Sequence, residues 1–290
     1  MAKVNKLPLP VNDDLATLSN VARHRQMKGY PAIWAEQSTL VAAYLQYTAS
    51  QGNPHVLMPA PISMTVGNLM RDYYKSSKAV VLAYINQIRD ARADKVCAMC
   101  GSFGSETLDH LLPQANYPEF AILSANLVPA CPCNVQRNNT VKGVSQSQRV
   151  LHPYFDSVLG QRLVAADIED PFSQAPKMKL KILLNPMDPD FDAVRFHVDE
   201  VLMKTAIIEH FETAWANLWR RPSLLIPKLH GIAMISQPKL VYAIARERGR
   251  LDRRHRSLNN WDSVFLSGLL NVPALTSLMQ RINDGPPELL

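Results

Sequence analysis

Four cysteines, Cys97, Cys100, Cys131 and Cys133, bracket a polar segment that contains Asp109, His110, Asn126 and Asn134, and the chain has no other cysteine. Two thiol pairs closing a short loop-rich stretch are suited to one tetrahedral zinc ion in a structural role. The residues inside the bracket offer different chemistry. A carboxylate at Asp109 and an amide oxygen at Asn134 suit a hard cation, which prefers oxygen. A histidine that stays neutral near pH 7 is the best side chain to take a proton from water beside a metal-bound phosphate. The combination points to metal-dependent hydrolysis. The bland alternative is a zinc knuckle with no catalysis, in which Asp109-His110 is a turn and Asn134 only a helix cap.

Something must bring these groups together. Asp109 and His110 are neighbours on an expected strand from Ser105 to His110, so their side chains point to opposite faces unless the strand bends or ends there. Pro113 favours an ending. Cys133 to about Asn139 reads as the start of a helix, and Gly101 and Gly104 interrupt any long element between the cysteines. The expected order is knuckle, hairpin, helix, folded around metals rather than around a broad apolar core.

The flanks read differently. Residues 1–92 look mainly helical: a polar, proline-bearing start to Met27, then helices over Ala32–Ser50, from Ser63 or Thr65 to Tyr74, and over Ser77–Arg92. The module occupies 93–150. In 151–290, Met178 to Leu184 alternates like a strand, with Val194 to His197 as its expected partner. Helices are expected over His197–Trp219, Lys239–Arg256, Trp261–Leu270 and Ala274–Ile282, before a fraying tail. His152, in His-Pro-Tyr-Phe-Asp, is expected to cap or pack a turn against the domain, the alternative being that it reaches the active site from behind. Arg246, Arg248, Arg250, Arg253, Arg254 and Arg256 form the strongest basic run, readable as a phosphate-tracking surface or as a solvated helix end.

Composition limits the classes. The chain has 290 residues, 47% of them hydrophobic and 19% charged, with 31 Lys+Arg against 25 Asp+Glu, a net charge of +6. That describes a globular protein with a mild positive excess, compatible with a polyanionic partner. The first residues lack a signal-peptide core, and no apolar run approaches the roughly 18 residues needed to span a bilayer. The expectation is a cytoplasmic protein without a membrane partner, where clustered cysteines bind metal more often than they pair.

The series Cys97-x-x-Cys100, Asp109-His110-x-x-Pro113, Asn126-Leu127-x-Pro129 and Cys133-Asn134 resembles the HNH endonucleases, the ββα-metal nuclease group, in its zinc-containing four-cysteine branch. The longer string, Leu108 to Pro113, Tyr117-Pro118-Glu119-Phe120 and Asn126 to Pro129, looks like a prokaryotic branch with members that act as anti-phage defence effectors. The resemblance spans about Cys97 to Arg137. It implies an α+β fold: a small ββα-metal module with structural zinc, inserted between mainly α-helical flanks.

The resemblance also implies roles. His110 falls at the general base. Asp109 and Asn134 fall at the ligands of a catalytic Mg²⁺ or Mn²⁺. Asn126 falls at the asparagine that pins the loop between the strands, and the cysteines at the structural Zn²⁺. Arg137 stands where the family has a lysine and, with Lys142, is the candidate phosphate contact. The second cysteine pair, Cys131-Pro132-Cys133, is one residue shorter than the family's Cys-x-x-Cys. The implied activity is endonucleolytic hydrolysis of nucleic acid, DNA ahead of RNA, with an ATPase as a partner by analogy. An RNA- or tRNA-directed nuclease and an inactive zinc-dependent scaffold are the alternatives.

Overall fold

Two apolar cores organise the chain, and the hairpin carrying Asp109-His110 contributes to both. The computed structural model describes residues 6–76, 80–91, 96–104, 107–173 and 175–284, with position 134 described by its backbone alone.

The first core is built from helices. α1 (Asp14–Arg23) starts at Asp13, whose carboxylate accepts from Ala16 N at 2.9 Å, the usual satisfaction of a free helix-start donor. α2 (Ala32–Ala35) and α3 (Gln37–Ala49) follow, and α3 buries Leu40, Ala43, Tyr44 and Tyr47 at helical spacing. α4 (Met64–Lys75) is capped by Ser63, which accepts from Val66 N at 3.3 Å. A 3₁₀ turn at Val80–Leu82 leads into α5 (Ala83–Asp90). The expected start of that helix at Ser77, and its end at Arg92, lie outside the described residues.

In the centre, β1 (Thr107–His110) pairs antiparallel with β2 (Leu127–Ala130), with His110 opposite Leu127 and Thr107 opposite Ala130. Short α6 (Cys133–Arg137) follows. The hairpin divides its side chains between the cores. Leu108, Leu112, Phe120, Leu123 and Leu127 join the helices of the first, whereas Leu111, Val128 and Ala130 join the second. The expectation of a module folded around metals alone is therefore corrected. A small hairpin has little apolar area of its own, and it is held by burial on both faces.

The second core is closed by the C-terminal half. β3 (Val164–Glu169) pairs with β4 (Lys177–Ile182), and α10 (Trp261–Gly268) lies across β3. The approach is close: a Cβ on Gly268 would sit 2.3 Å from the Ala166 carbonyl oxygen. α7 (Phe191–Glu200), α8 (Ile207–Arg220), α9 (Gln237–His255) and α11 (Val272–Asp284) complete it.

Here two readings change. Val194 to His197 belongs to α7 and is not a strand; the partner of β4 is β3. Ala193, Val194, His197 and Val198 are buried on one face, so the helical period of the surrounding residues overrides a short apolar/polar alternation. The long helix expected from His197 is broken by a 3₁₀ turn at Leu202–Lys204. The chain is thus a mixed α and β protein with two two-stranded sheets among the described residues. No single described helix is long and apolar enough to cross a membrane.

Candidate metal centre and active site

The first cysteine pair sits on a tight turn in which Gly101 N donates to Cys97 O at 3.0 Å and Cys97 N to Ser102 O at 2.9 Å. Gly101 has φ +80°, and a Cβ there would meet Asn259 O at 2.0 Å, so only glycine fits. Trp261 of α10 braces the turn, its Nε1 donating to Cys100 O at 2.8 Å. The second pair closes from β2 and the start of α6. Cys97 and Cys133 sulfurs lie 3.7 Å apart, Cys100 and Cys131 sulfurs 3.4 Å, and all four fall within 4.8 Å of one another. Zinc–sulfur bonds of about 2.3 Å in a tetrahedron require sulfur–sulfur edges of about 3.8 Å. The buried cluster could therefore hold a metal such as zinc. The shortened Cys131-Pro132-Cys133 spacing still closes it, with Cys133 N donating to Cys131 Sγ and Cys131 N to Cys97 Sγ, each at 3.3 Å. Hydrogen bonding among the crowded thiols holds Cys131 down and pushes Cys133 up in pKa. A bound cation would displace the protons from all four.

Asn126 closes the loop between the strands. It is fully buried, and its side chain makes all four of the hydrogen bonds it can. Oδ1 accepts from Leu112 N at 2.8 Å and from the Tyr47 hydroxyl at 3.0 Å; Nδ2 donates to Leu112 O at 3.1 Å and Phe120 O at 3.2 Å.

Behind Asn126 stands a chain of donors that the sequence did not announce. Tyr154 N donates to His152 Nδ1 at 3.2 Å, so the His152 proton sits on Nε2, which lies 3.1 Å from the Tyr47 oxygen. Tyr47 then passes its own proton toward Asn126. Burial pushes the pKa of His152 down to about 3, so it stays neutral. His152 thus packs a turn, as expected, and also anchors α3 to the loop.

His110, the candidate base, is buried on the first-core face of β1. Its Nε2 lies 2.9 Å from Ala121 O, and a carbonyl oxygen only accepts, so Nε2 carries the proton and Nδ1 keeps a lone pair. Burial lowers its pKa, which favours the neutral form. Tyr74 from α4 stands edge-on to the imidazole, 4.2 Å between ring centres, and its hydroxyl donates to Leu108 O at 2.6 Å. The ring is held from both sides.

Asp109 points the other way, toward α6. Its Oδ2 accepts from Arg137 Nη2 at 2.7 Å. Arg137, read from sequence as a phosphate contact, is 1% exposed, and it also donates to the carbonyls of His110, Leu111 and Thr140. It ties α6 to the end of β1. Lys142 is exposed, its Nζ donating to Pro54 O at 2.7 Å. Asn134 occupies the first turn of α6, and its side chain lies outside what is described.

Comparison with known proteins adds a narrow relation. An alignment of 110 residues is 33% identical to the protein ea31 of Escherichia phage lambda, covering 33% of this chain and 36% of that protein. The chain thus spans little more than a third of that relative's length. No family model matches the sequence, and no solved structure does.

Proposed function

We propose that the protein is a metal-dependent endonuclease of the HNH type, with His110 as its general base. The observation that carries this reading is the fixed His110 imidazole: Ala121 O holds the proton on Nε2, and burial favours the neutral ring, which leaves the Nδ1 lone pair to accept a proton. Such a group can take a proton from water as the water attacks phosphorus, and return it to solvent after the bond to the leaving oxygen breaks.

On the opposite side of the strand, toward α6, the donor set suits one hard cation. Asp109 keeps one carboxylate oxygen outside its ion pair with Arg137, and Asn134 begins the adjacent helix. These two residues would hold Mg²⁺ or Mn²⁺, and such an ion would stabilise charge developing on the phosphate and the leaving oxygen. Arg137 would set the angle of the Asp109 carboxylate instead of gripping phosphate itself. The cysteines, with zinc, would keep hairpin and helix in register, and Asn126 would hold the loop that presents Ala121 to His110. DNA is the preferred substrate in this reading, and a defence role and an ATPase partner rest on the HNH resemblance alone.

The experiment is cleavage of plasmid DNA, single-stranded DNA and tRNA by zinc-loaded protein with Mg²⁺ or Mn²⁺. Cleavage that requires the added ion supports the reading, and the substrate cut ranks DNA against RNA. Full zinc occupancy with no cleavage of any substrate would favour a zinc-dependent scaffold.

A further inference from the structure

The basic run of α9 plays no part in the chemistry proposed above, yet its placement is not that of a solvated helix end alone. Tyr242, Arg246, Arg250 and Arg254 recur every four residues, so they form one ridge along the helix, with steps of about 6 Å between them. All four are exposed, Tyr242 at 59%, and Arg253 extends the ridge at its end. The two carboxylates of α9 are both engaged. Glu247 and Asp252 are buried, Glu247 paired with Arg250 at 2.6 Å and Asp252 with Arg162 at 2.7 Å. The outward face therefore carries cations and one aromatic ring.

The ridge ends in a cleft of about 450 Å³, within the range of small-ligand sites. Arg250, Arg254 and His255 line it on one side, and Leu224, Pro227 and Leu266 form an apolar floor. At its rim stands Phe103, the residue that follows the first cysteine turn. Phe103 is 46% exposed, and its ring meets His255 edge-on at 5.2 Å between centres. Phe103 thus presents an exposed aromatic ring in a cleft that arginines also line. The one carboxylate of this wall besides Glu247, Asp262, is engaged by His210 at 3.0 Å.

We infer that the α9 ridge and the Phe103 cleft together bind single-stranded nucleic acid, the arginines tracking phosphates and Phe103 stacking an unpaired base. The aromatic face accepts any base and the cations accept any backbone, so the site is sequence-tolerant. A duplex keeps its bases stacked internally and has no face to offer Phe103. The inference rests on the reading of the protein as one that acts on nucleic acid, and it names the strand state that the C-terminal half prefers.

The test is binding of fluorescein-labelled oligothymidine to full-length, zinc-loaded protein without added Mg²⁺, measured by anisotropy, so that it is independent of cleavage. Wild type is expected to bind the single strand at least ten-fold more tightly than a duplex of equal length, with affinity falling as salt rises. Phe103→Ala should weaken binding about ten-fold at unchanged salt slope. The pair Arg246→Glu, Arg254→Glu should weaken it more and flatten the slope. Since Phe103 adjoins the zinc turn, zinc content is measured for every variant, and the double arginine variant, remote from the cysteines, decides if Phe103→Ala loses metal. Equal binding of duplex and single strand, unchanged binding by the arginine pair, or a preference for anionic vesicles over oligonucleotide would each overturn the inference. His110→Ala should bind like wild type. Wild type that binds the oligonucleotide but cleaves no substrate would sink the catalytic reading and leave this one standing.

Discussion

The two hairpins of this protein share an antiparallel ladder and little else. β3–β4 alternates as a half-exposed sheet does: Lys177, Lys179 and Lys181 face outward while Met178 is buried below. Its strands are joined by residues 170–176, and its outer face is tied by a surface pair between Lys179 and Glu169. β1–β2 has no solvent face to spare, since all four residues of β2 are buried between the two cores. Its connection, residues 111–126, is long, and it is held by the interior hydrogen bonds of Asn126, Tyr47 and His152. The first hairpin is fixed by burial and polar satisfaction, the second by amphipathic packing alone. A hairpin of the first kind can hold a histidine at a defined tautomer, which is what the proposed chemistry requires.

Four perturbations should separate the two. The largest effect belongs to the cysteines. Cys133→Ser should abolish zinc binding and unfold the knuckle and hairpin, since structural zinc sites contribute on the order of 10 kcal/mol in small modules. Metal analysis and loss of cooperative unfolding would report it. A variant that keeps a wild-type melt would mean the hairpin stands without the cluster.

Asn126→Ala comes next. It strands Leu112 N and Leu112 O in the interior and removes one of the partners of Phe120 O and of the Tyr47 hydroxyl. At about 1–3 kcal/mol for each unsatisfied group, partly relieved by relaxation, the net loss should be about 3–5 kcal/mol. Urea unfolding measures it, and a loss under 1 kcal/mol would show that the loop is held by packing instead.

Acid should act on the same hairpin. His152 is held near pKa 3 against about 6.5 when unfolded. The unfolded chain then binds the extra proton, so the stability is full above about pH 6.5 and falls as pH drops toward 3. By pH 5 the loss from this residue is about 2 kcal/mol. His197, held down to about 4 by burial, adds a loss of similar sign from the second core. Comparing urea midpoints at pH 7 and pH 5 for wild type and His152→Gln should therefore remove part of the pH dependence and not all of it.

The smallest effect should come from Lys179→Ala on the second hairpin. That pair is exposed at both ends, and exposed pairs are screened by solvent, so no measurable shift in the unfolding midpoint is expected. A clear shift would mean that the second hairpin also depends on a specific polar contact.

Legibility in the sequence follows the range of the interactions. The cysteine spacing announced a cluster because zinc chemistry constrains residue type and local separation together. Helix starts such as Ser63 were readable because a cap involves residues three apart. Tyr47 and His152 carried no such sign: they meet across 105 positions, and each looks like an ordinary core or turn residue alone. Arg137 was legible as a charge and not as a buried one, because nothing local says that four acceptors will surround it. Val194 to His197 failed as a strand because four residues with apolar Val194 and Phe196 are too few to separate the two periods, and the pairing slot on β4 was taken by residues further upstream.

The central claim is that a rigidly held His110 activates water. Its most direct test compares single-turnover cleavage by wild type and His110→Ala at equal zinc content, equal oligonucleotide binding and saturating Mg²⁺. The account predicts a loss of about 10²–10⁴-fold in the variant, the usual contribution of a positioned base. Equal rates in the two proteins would contradict it and move the chemistry away from this hairpin.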